Sequence, residues 1–514
     1  MKYTGKSEMI SHTLSSLLSE SGIKYELHGS PEKNVTALEY DSRKNFDDST
    51  VFFCLTGAKK DGHEYARSVY DKGGRIFAAE RLLPLPDDAV QIIFTSSRDA
   101  LACISDAFYS HPSRTLKVIG VTGTKGKTTT SVMIEKMMLS CGMKCGYIGS
   151  NGVDIGEEHF DTPNTTPESR EIEKYFAMML SRGFTHAVIE VSSQALIHSR
   201  VLGISFDTVV YANLSPDHIS PIEHPTFEAY RDAKHKLFTD YDAENIVVNR
   251  DDENAAFMLS GIRDIEKRNV IGYSVSAPSD YTASDIRPYR DKTSLGIDFD
   301  VTYDGVKTGI RLKMPGEFSV HNALAAIAVC GTYGIGRRQA ATALAEISIN
   351  GRSEIVDAAD GITFVVDYAH NGLSLMNELS VLKAYVPKRL ICVFGCVGGK
   401  AYNRRRELAE AASSLADFTV ITSDNPDYDD PEEIISDVLK YFDKSKPYTV
   451  IPDREEAIRF TVRIAEEDDI VLFAGKGHET YQLIRGEKVP FSERSIILDE
   501  AAKLAPSLRG NAVL

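Results

Sequence analysis

The chain has 514 residues, too many for one hydrophobic core, and its 42% hydrophobic and 26% charged residues fit a globular protein of about three domains. Asp and Glu (74) outnumber Lys and Arg (58), and the formal net charge of −16 argues against broad binding to nucleic acid or to an anionic membrane surface; a local basic cleft for a small anion stays open. The seven cysteines, at 54, 103, 141, 145, 330, 392 and 396, form no CxxC pair, the pattern of free thiols in a reducing cytosol. The amino terminus lacks an apolar signal-peptide stretch and the most apolar helix, near 323–330, is too short to span a bilayer, so a cytoplasmic protein with no membrane insertion is expected.

Residues 1–112 hold short α/β elements: a helix near 10–21, strands at 37–41 and 51–55, a helix near 65–72, and strands at 76–79 and 91–94. The segment Ser110-His-Pro-Ser113 reads as a linker, because proline disfavours helix just before it. Residues 113–350 alternate apolar strands, at 116–121, 186–191, 208–213 and 245–249, with helical stretches, which points to a parallel sheet covered on both faces. A polar, strand-rich section at 269–315 precedes a helix opened by Ser319-Val-His-Asn322. Residues 351–514 repeat the β/α rhythm with strands at 362–366, 389–394, 418–422 and 469–474, each ending in a polar or glycine-rich loop where a doubly wound sheet binds ligands. No GxGxxG dinucleotide fingerprint is present.

The most informative stretch is Leu116-Lys-Val-Ile-Gly-Val-Thr-Gly-Thr-Lys-Gly-Lys-Thr-Thr-Thr130, a strand running through a glycine turn into a helix. A strict Walker A would need glycine at 121, where Val121 stands, yet the order still suits a phosphate site. Gly123, Thr124, Lys125 and Gly126 let backbone approach the anion, Lys127 supplies charge, Thr128 can hold magnesium, and Thr129 continues the helix head. Glu190 ends an apolar strand, where a carboxylate is costly unless paired or metal-bound. His218 follows another strand in Asn213-Leu-Ser-Pro-Asp-His218 and by itself reads as a loop or core histidine ahead of a ligand. Lys234 stands seven residues after Phe227, four after Tyr230 and three before Leu237, on the apolar face of a helix. It either snorkels to water or is buried; a buried amine is neutral and can take up carbon dioxide as a carbamate, turning a cation into a metal-binding anion.

Together GVTGTKGKTTT, NTTPES, EVSS, NLSPDH, EAYRDAKHKLF, GEFSVHNALAA, GRSE, DYAH, SDNP and GKGHE resemble the muramyl ligase family, ATP-dependent amide-forming enzymes of bacterial cell-wall synthesis. The motifs run in family order from about Tyr40 to Arg494 and look most like the branch that adds a diamino acid to UDP-N-acetylmuramoyl-L-alanyl-D-glutamate. The resemblance implies three α/β domains: an N-terminal UDP-sugar-binding domain (1–112), a central P-loop-like parallel-sheet ATPase domain (113–350) and a C-terminal Rossmann-like domain that binds the amino acid (351–514). It implies an acyl phosphate made from ATP, two magnesium sites with Thr128 and Glu190 on one and His218 and carbamylated Lys234 on the other, and roles in cell shape and division. It assigns Asn322 to adenine, Arg352 to the phosphates and Asp367 to the ribose. Ser42, Arg43, Asn164, Thr165, Thr166, Ser193 and Arg200 are assigned to the UDP-sugar and its peptide.

Lys400, Asp424, Asn425, Asp427, Gly475 and Glu479 are assigned to the incoming amino acid. Family members that add meso-diaminopimelate usually carry arginine after the proline of DNP; Asp427 would repel the second carboxylate there, which favours L-lysine, with meso-diaminopimelate and L-ornithine as alternatives. A monomer is expected. The competing readings are a folylpolyglutamate synthase-like ligase, which the Tyr40-Asp-Ser-Arg43 and DNP motifs disfavour, and a P-loop ATPase switch, which the ligand loops of the last third disfavour.

Overall fold

The computed structural model describes residues 10–57, 60–217, 219–220, 223–292, 294–399 and 402–509, with side chains through 504. The chain is α/β throughout and divides into two compact units, Met1–Asp280 with Ala325–Ile335, and Tyr281–Leu324 with Gly336–Leu514. The expected segments 1–112 and 113–280 thus share one unit, and the packing divides at 280 rather than only near 350. The physical reason is contact between the two segments: the Tyr40 hydroxyl donates to Glu171 Oε2 at 2.9 Å, Ser199 Oγ to Asp99 Oδ1 at 2.6 Å, and Arg98 pairs with Glu168 at 3.3 Å.

In the first unit a small sheet orders its strands Glu26–His28, Val90–Ile93, Ile76–Ala79, Thr50–Phe53 and Ala37–Glu39, the last four parallel. Strands such as Ile-Phe-Ala-Ala at Ile76–Ala79 are buried on both faces, as a covered parallel sheet requires. The helix expected near 10–21 is Leu14–Ser21, preceded by a short strand His12–Thr13; Thr13 caps it by accepting from Ser16 N. The larger sheet runs Cys145–Gly149, His186–Glu190, Lys117–Thr122, Phe206–Tyr211, Asn245–Asn249 and Asn269–Ser274, all parallel. Antiparallel strands Gly152–Ile155 and Glu158–Phe160 extend its edge. Leu116, Val118, Ile148, Val188 and Val209 fill its interior with almost no exposure.

In the second unit an antiparallel meander, Tyr281–Arg290, Leu295–Tyr303 and Val306–Leu312, accounts for most of the strand-rich section. A second sheet orders Glu354–Val356, Thr363–Asp367, Ile470–Ala474, Leu390–Cys396, Phe418–Ser423 and Tyr448–Val450, parallel after its first strand. The helix expected from 319 begins at Glu317 and runs to Thr332. All seven cysteines are free. Among the described residues no helix is long and apolar enough to cross a membrane.

Candidate active site

Strand Lys117–Thr122 lies between His186–Glu190 and Phe206–Tyr211, where the strand order reverses direction, so its carboxyl end opens at a topological switch point. The chain leaves through Gly123, Thr124, Lys125 and Gly126, and Gly126, at φ 80°, caps helix Lys127–Ser140 in a left-handed conformation that favours glycine. A Cβ on Gly123 would stand 3.0 Å from the Ala212 Cβ. The loop is pinned: Thr124 N donates to Asn213 O at 2.9 Å, Lys125 N to Asn213 Oδ1 at 2.9 Å, and Tyr230 OH to Thr124 Oγ1 at 3.1 Å. The helix start therefore presents backbone N–H groups and Lys127 from a fixed frame, the arrangement that receives phosphate.

Thr128 and Thr129 are buried in the first turn of that helix, and the Thr128 hydroxyl donates to Glu190 Oε2 at 3.1 Å. Glu190 is fully buried; its Oε1 accepts from Tyr147 OH at 2.5 Å and Ser150 N at 3.0 Å, and Ser150 Oγ reaches Oε2 at 3.3 Å. Such donors are what a carboxylate withdrawn from water needs. A hydroxyl and a carboxylate converging on a strand end are oxygen donors of the kind magnesium takes, so these residues fit one such ion. Among the described residues no cluster of three or more His, Cys, Asp or Glu could hold a metal. The expected ligand His218 lies outside the described residues.

Lys234, in helix Phe227–Thr239, does not snorkel: it is 1% exposed. Its Nζ donates to the Gly123 carbonyl at 2.9 Å, and Lys127 Nζ donates to the same oxygen at 2.9 Å and to Thr124 O at 3.1 Å. Burial first, and then the Lys127 charge, push the Lys234 amine well below the usual lysine range, with Asp217 opposing. A neutral amine is the form that adds to carbon dioxide.

Residues assigned to the sugar and its peptide sit partly around Glu190. Thr166 Oγ1 donates to Glu190 O at 2.7 Å, Thr165 Oγ1 accepts from Ser150 Oγ at 3.0 Å, and Asn164 is exposed on the same loop. The Ser193 hydroxyl shares a hydrogen bond with His224 Nε2 at 2.9 Å. Arg200 donates to Glu168 Oε1 at 2.9 Å and Thr166 O at 3.1 Å, so it braces this loop. Arg43 closes its fork on Asp41, both bonds 2.8 Å, holding the Asp41 carboxyl down at about 2; an anion there competes with Asp41. The neighbouring Ser42 carbonyl accepts from Lys72 Nζ at 2.7 Å.

In the second unit Asn322 is buried on helix Glu317–Thr332. Arg352 lies over the Tyr368 ring at 4.8 Å, and its buried Nε has no hydrogen-bond partner among the described residues. Burial raises the Asp367 carboxyl against the pull of Arg352, and its Oδ2 accepts from Ser353 N at 2.7 Å. An arginine with an unused donor beside a strand-end carboxylate suits a phosphate and a hydroxyl respectively.

The carboxyl ends of Thr363–Asp367, Leu390–Cys396, Phe418–Ser423 and Ile470–Ala474 surround a cavity of about 360 Å³ lined by Tyr368, Gly398, Arg404, Asp424, Asn425 and Glu479, among others. Asn425 and Glu479 are organised by Lys476, whose side chain is fully buried: its Nζ donates to Asn425 Oδ1 at 2.8 Å and Glu479 Oε2 at 2.6 Å. Asp424 is 3% exposed; its Oδ1 has no hydrogen-bond partner among the described residues and stands 3.6 Å from Lys476 Nζ. Gly475, at φ 113°, leaves space that a Cβ would take 2.8 Å from Asp424 Oδ2. Asp427 also lines the cavity, but its Oδ1 accepts from Gly486 N at 2.8 Å, tying it to the hairpin Tyr481–Ile484 and Glu487–Pro490. Lys400 lies outside the described residues. The sequence reading missed Tyr147, Ser150, Arg404 and Lys476; only Lys476 carried a signal, lying inside the quoted motif GKGHE.

A glycine loop at a switch point with a buried hydroxyl–carboxylate pair defines a nucleotide-phosphate-handling α/β protein. Residues 121–330 match the family described as Mur ligase middle domain and residues 351–477 the family described as Mur ligase, glutamate ligase domain. A UDP-N-acetylmuramoyl-L-alanyl-D-glutamate–2,6-diaminopimelate ligase of Geobacillus thermodenitrificans is 37% identical over 479 residues, covering 91% of this chain and 95% of its own. A protein of the same name from Clostridium botulinum is 36% identical over 481 residues, covering 92% and 97%. A solved structure of that ligase type superposes with a TM-score of 0.67 at 29% identity over 92% of this chain and 96% of its own. A folylpolyglutamate synthase of Thermotoga maritima shares the fold alone, at TM-score 0.57 and 16% identity over 73% and 90%. The chain belongs to the Mur ligase family.

Proposed function

We propose that the chain joins a diamino acid, meso-diaminopimelate in first place, to UDP-N-acetylmuramoyl-L-alanyl-D-glutamate with ATP as the energy source, in cytoplasmic synthesis of peptidoglycan precursors. The observation that carries this reading is the meeting of Lys127, Thr128, Glu190 and the sealed Lys234 at one strand end of a Mur ligase. The γ-phosphoryl group moves from ATP to a carboxylate oxygen of the acceptor, ADP leaves, the amine attacks the acyl carbon, and phosphate departs as the amine loses a proton. Lys127 and the amides of the loop hold the migrating phosphate while charge builds on it. Thr128 and Glu190 would hold a magnesium ion, which neutralises phosphate charge when bound. Lys234 would carry a carbamate and, with His218, face a second magnesium. Asn322, Arg352 and Asp367 would serve the adenine, phosphate and ribose of ATP.

For the amino acid, the names of the relatives speak for the diaminopimelate alternative over lysine. The main argument for L-lysine was Asp427, and one oxygen of that carboxylate accepts from the Gly486 amide. The test supplies the purified chain with ATP, magnesium, the UDP-dipeptide and, in separate reactions, meso-diaminopimelate, L-lysine or L-ornithine. Phosphate release is expected only with all components and fastest with meso-diaminopimelate. Release without the dipeptide, or with a pteroylglutamate in its place, overturns the ligase reading; preference for lysine overturns the choice of amino acid alone.

A further inference from the structure

Three consecutive arginines, Arg404, Arg405 and Arg406, occupy the first turn of helix Asn403–Leu415. Two have partners: Arg405 donates to Asp437 Oδ2 at 2.5 Å and Asp429 Oδ2 at 3.4 Å, and Arg406 to Glu410 Oε1 at 2.7 Å. Arg404 makes no hydrogen bond or ion pair with any described residue, is half-buried, and lines the strand-end cavity. It is the sole arginine or lysine among the described lining residues, which also include the carboxylates of Asp424, Asp427 and Glu479. These carboxylates are not equivalent. Glu479 pairs with Lys476 at 2.6 Å and Asp427 bonds Gly486 N, while the buried Asp424 is held more loosely, its Oδ1 3.6 Å from Lys476 Nζ and without a hydrogen-bond partner among the described residues.

A cavity with an uncommitted guanidinium and an underused buried carboxylate is complementary to a group carrying both charges, an ammonium beside a carboxylate. The far end of diaminopimelate is such a group, whereas the far end of lysine is an ammonium alone and would leave the guanidinium without an anion. We propose that Arg404 is the specificity residue that grips the distal carboxylate of the incoming diamino acid, with Asp424 taking the distal ammonium; the proposal rests on the diaminopimelate reading above. Arginine at position 427 is absent, and Arg404 delivers the cation from another element, the helix that follows strand Leu390–Cys396. A planar fork matches a carboxylate bidentately, which a lysine does not.

The test measures KM and kcat for meso-diaminopimelate and for L-lysine in the full-length enzyme, in Arg404→Met and in Arg406→Met. Loss of a charge-assisted contact predicts that Arg404→Met raises KM for diaminopimelate roughly 10- to 100-fold, with kcat changed far less and the preference over lysine collapsing. Arg404→Lys is expected to restore part of that preference, and Arg406→Met to leave it intact. An unchanged diaminopimelate KM in Arg404→Met overturns the proposal, as does an equal rise for both amino acids, which would place Arg404 on the shared α-carboxylate. A wild-type enzyme that prefers lysine overturns it through the reading on which it rests, and that result is separate because it needs no variant.

Discussion

At the Gly123 carbonyl two lysine amines, Lys127 and Lys234, meet one oxygen, and the two have different histories in water. Lys127, half-buried, heads a helix beside a phosphate loop; Lys234 is sealed by its own helix and by Tyr230, whose ring lies 4.7 Å away. The desolvation that makes protonated Lys234 costly is the same property that suits it to carbamylation. Lys234→Ala is therefore expected to lose at least about 10²-fold in phosphate release. High bicarbonate should not restore it, because no amine remains, whereas a short carboxylate such as acetate should restore part of it by standing where the carbamate would. A fully active Lys234→Ala removes the carbamate from the proposal.

At the scale of elements, the strand ends of the second unit are held by a buried pair with no counterpart in the motifs. Arg454 heads helix Arg454–Ile464 and Glu493 heads helix Glu493–Arg509, and Arg454 Nη2 donates to Glu493 Oε1 at 2.8 Å. The same guanidinium donates to Ser423 O at 3.1 Å and Ala474 O at 2.8 Å, the last residues of two strands that feed the cavity. Breaking one half of a buried pair leaves an uncompensated charge, so Arg454→Met is expected to destabilise the protein by about 3–5 kcal/mol in urea unfolding. A loss below about 1 kcal/mol would mean that Glu493 is protonated or solvated once its partner is gone. Most of the parallel strands were legible as apolar runs, because burial on both faces leaves no polar alternation to misread; Cys145–Gly149, with two glycines, and the three-residue Tyr448–Val450 were not. The edge strands Gly152–Ile155 and Glu158–Phe160 carry no such run, being short and rich in polar and glycine residues.

Across the whole molecule, the expected boundary at 350 follows composition, while packing interleaves the chain. Residues Ala325–Ile335 return to the first unit, where Ala325, Ala326, Ala328, Val329 and Cys330 are fully buried. Tyr333 OH donates to Asp207 Oδ2 at 2.7 Å and shares a hydrogen bond with Thr208 Oγ1, also 2.7 Å. A fragment of residues 1–280 lacks this piece and is expected to melt without a cooperative transition in circular dichroism; a sharp melt at the temperature of the full chain would show the piece to be dispensable.

By itself the sequence determined the phosphate loop, the α/β rhythm and the family, because these depend on residues close together in the chain: glycines before Lys127, apolar runs, and short motifs in fixed order. It also placed Lys234 on an apolar face, where a snorkelling lysine is the usual case, and left burial undecided, since only the surrounding chain excludes water. Tertiary structure alone decided that Lys234 is sealed, that Asp427 is partly engaged by a hairpin amide, and that of three like-charged neighbours Arg404 is the one facing the cavity. Apart from Arg406, paired with Glu410 four residues on, those facts turn on partners between 24 and 111 residues away, Asp429 to Arg405 and Gly123 to Lys234 at the two extremes, and no local pattern in the chain encodes such distances.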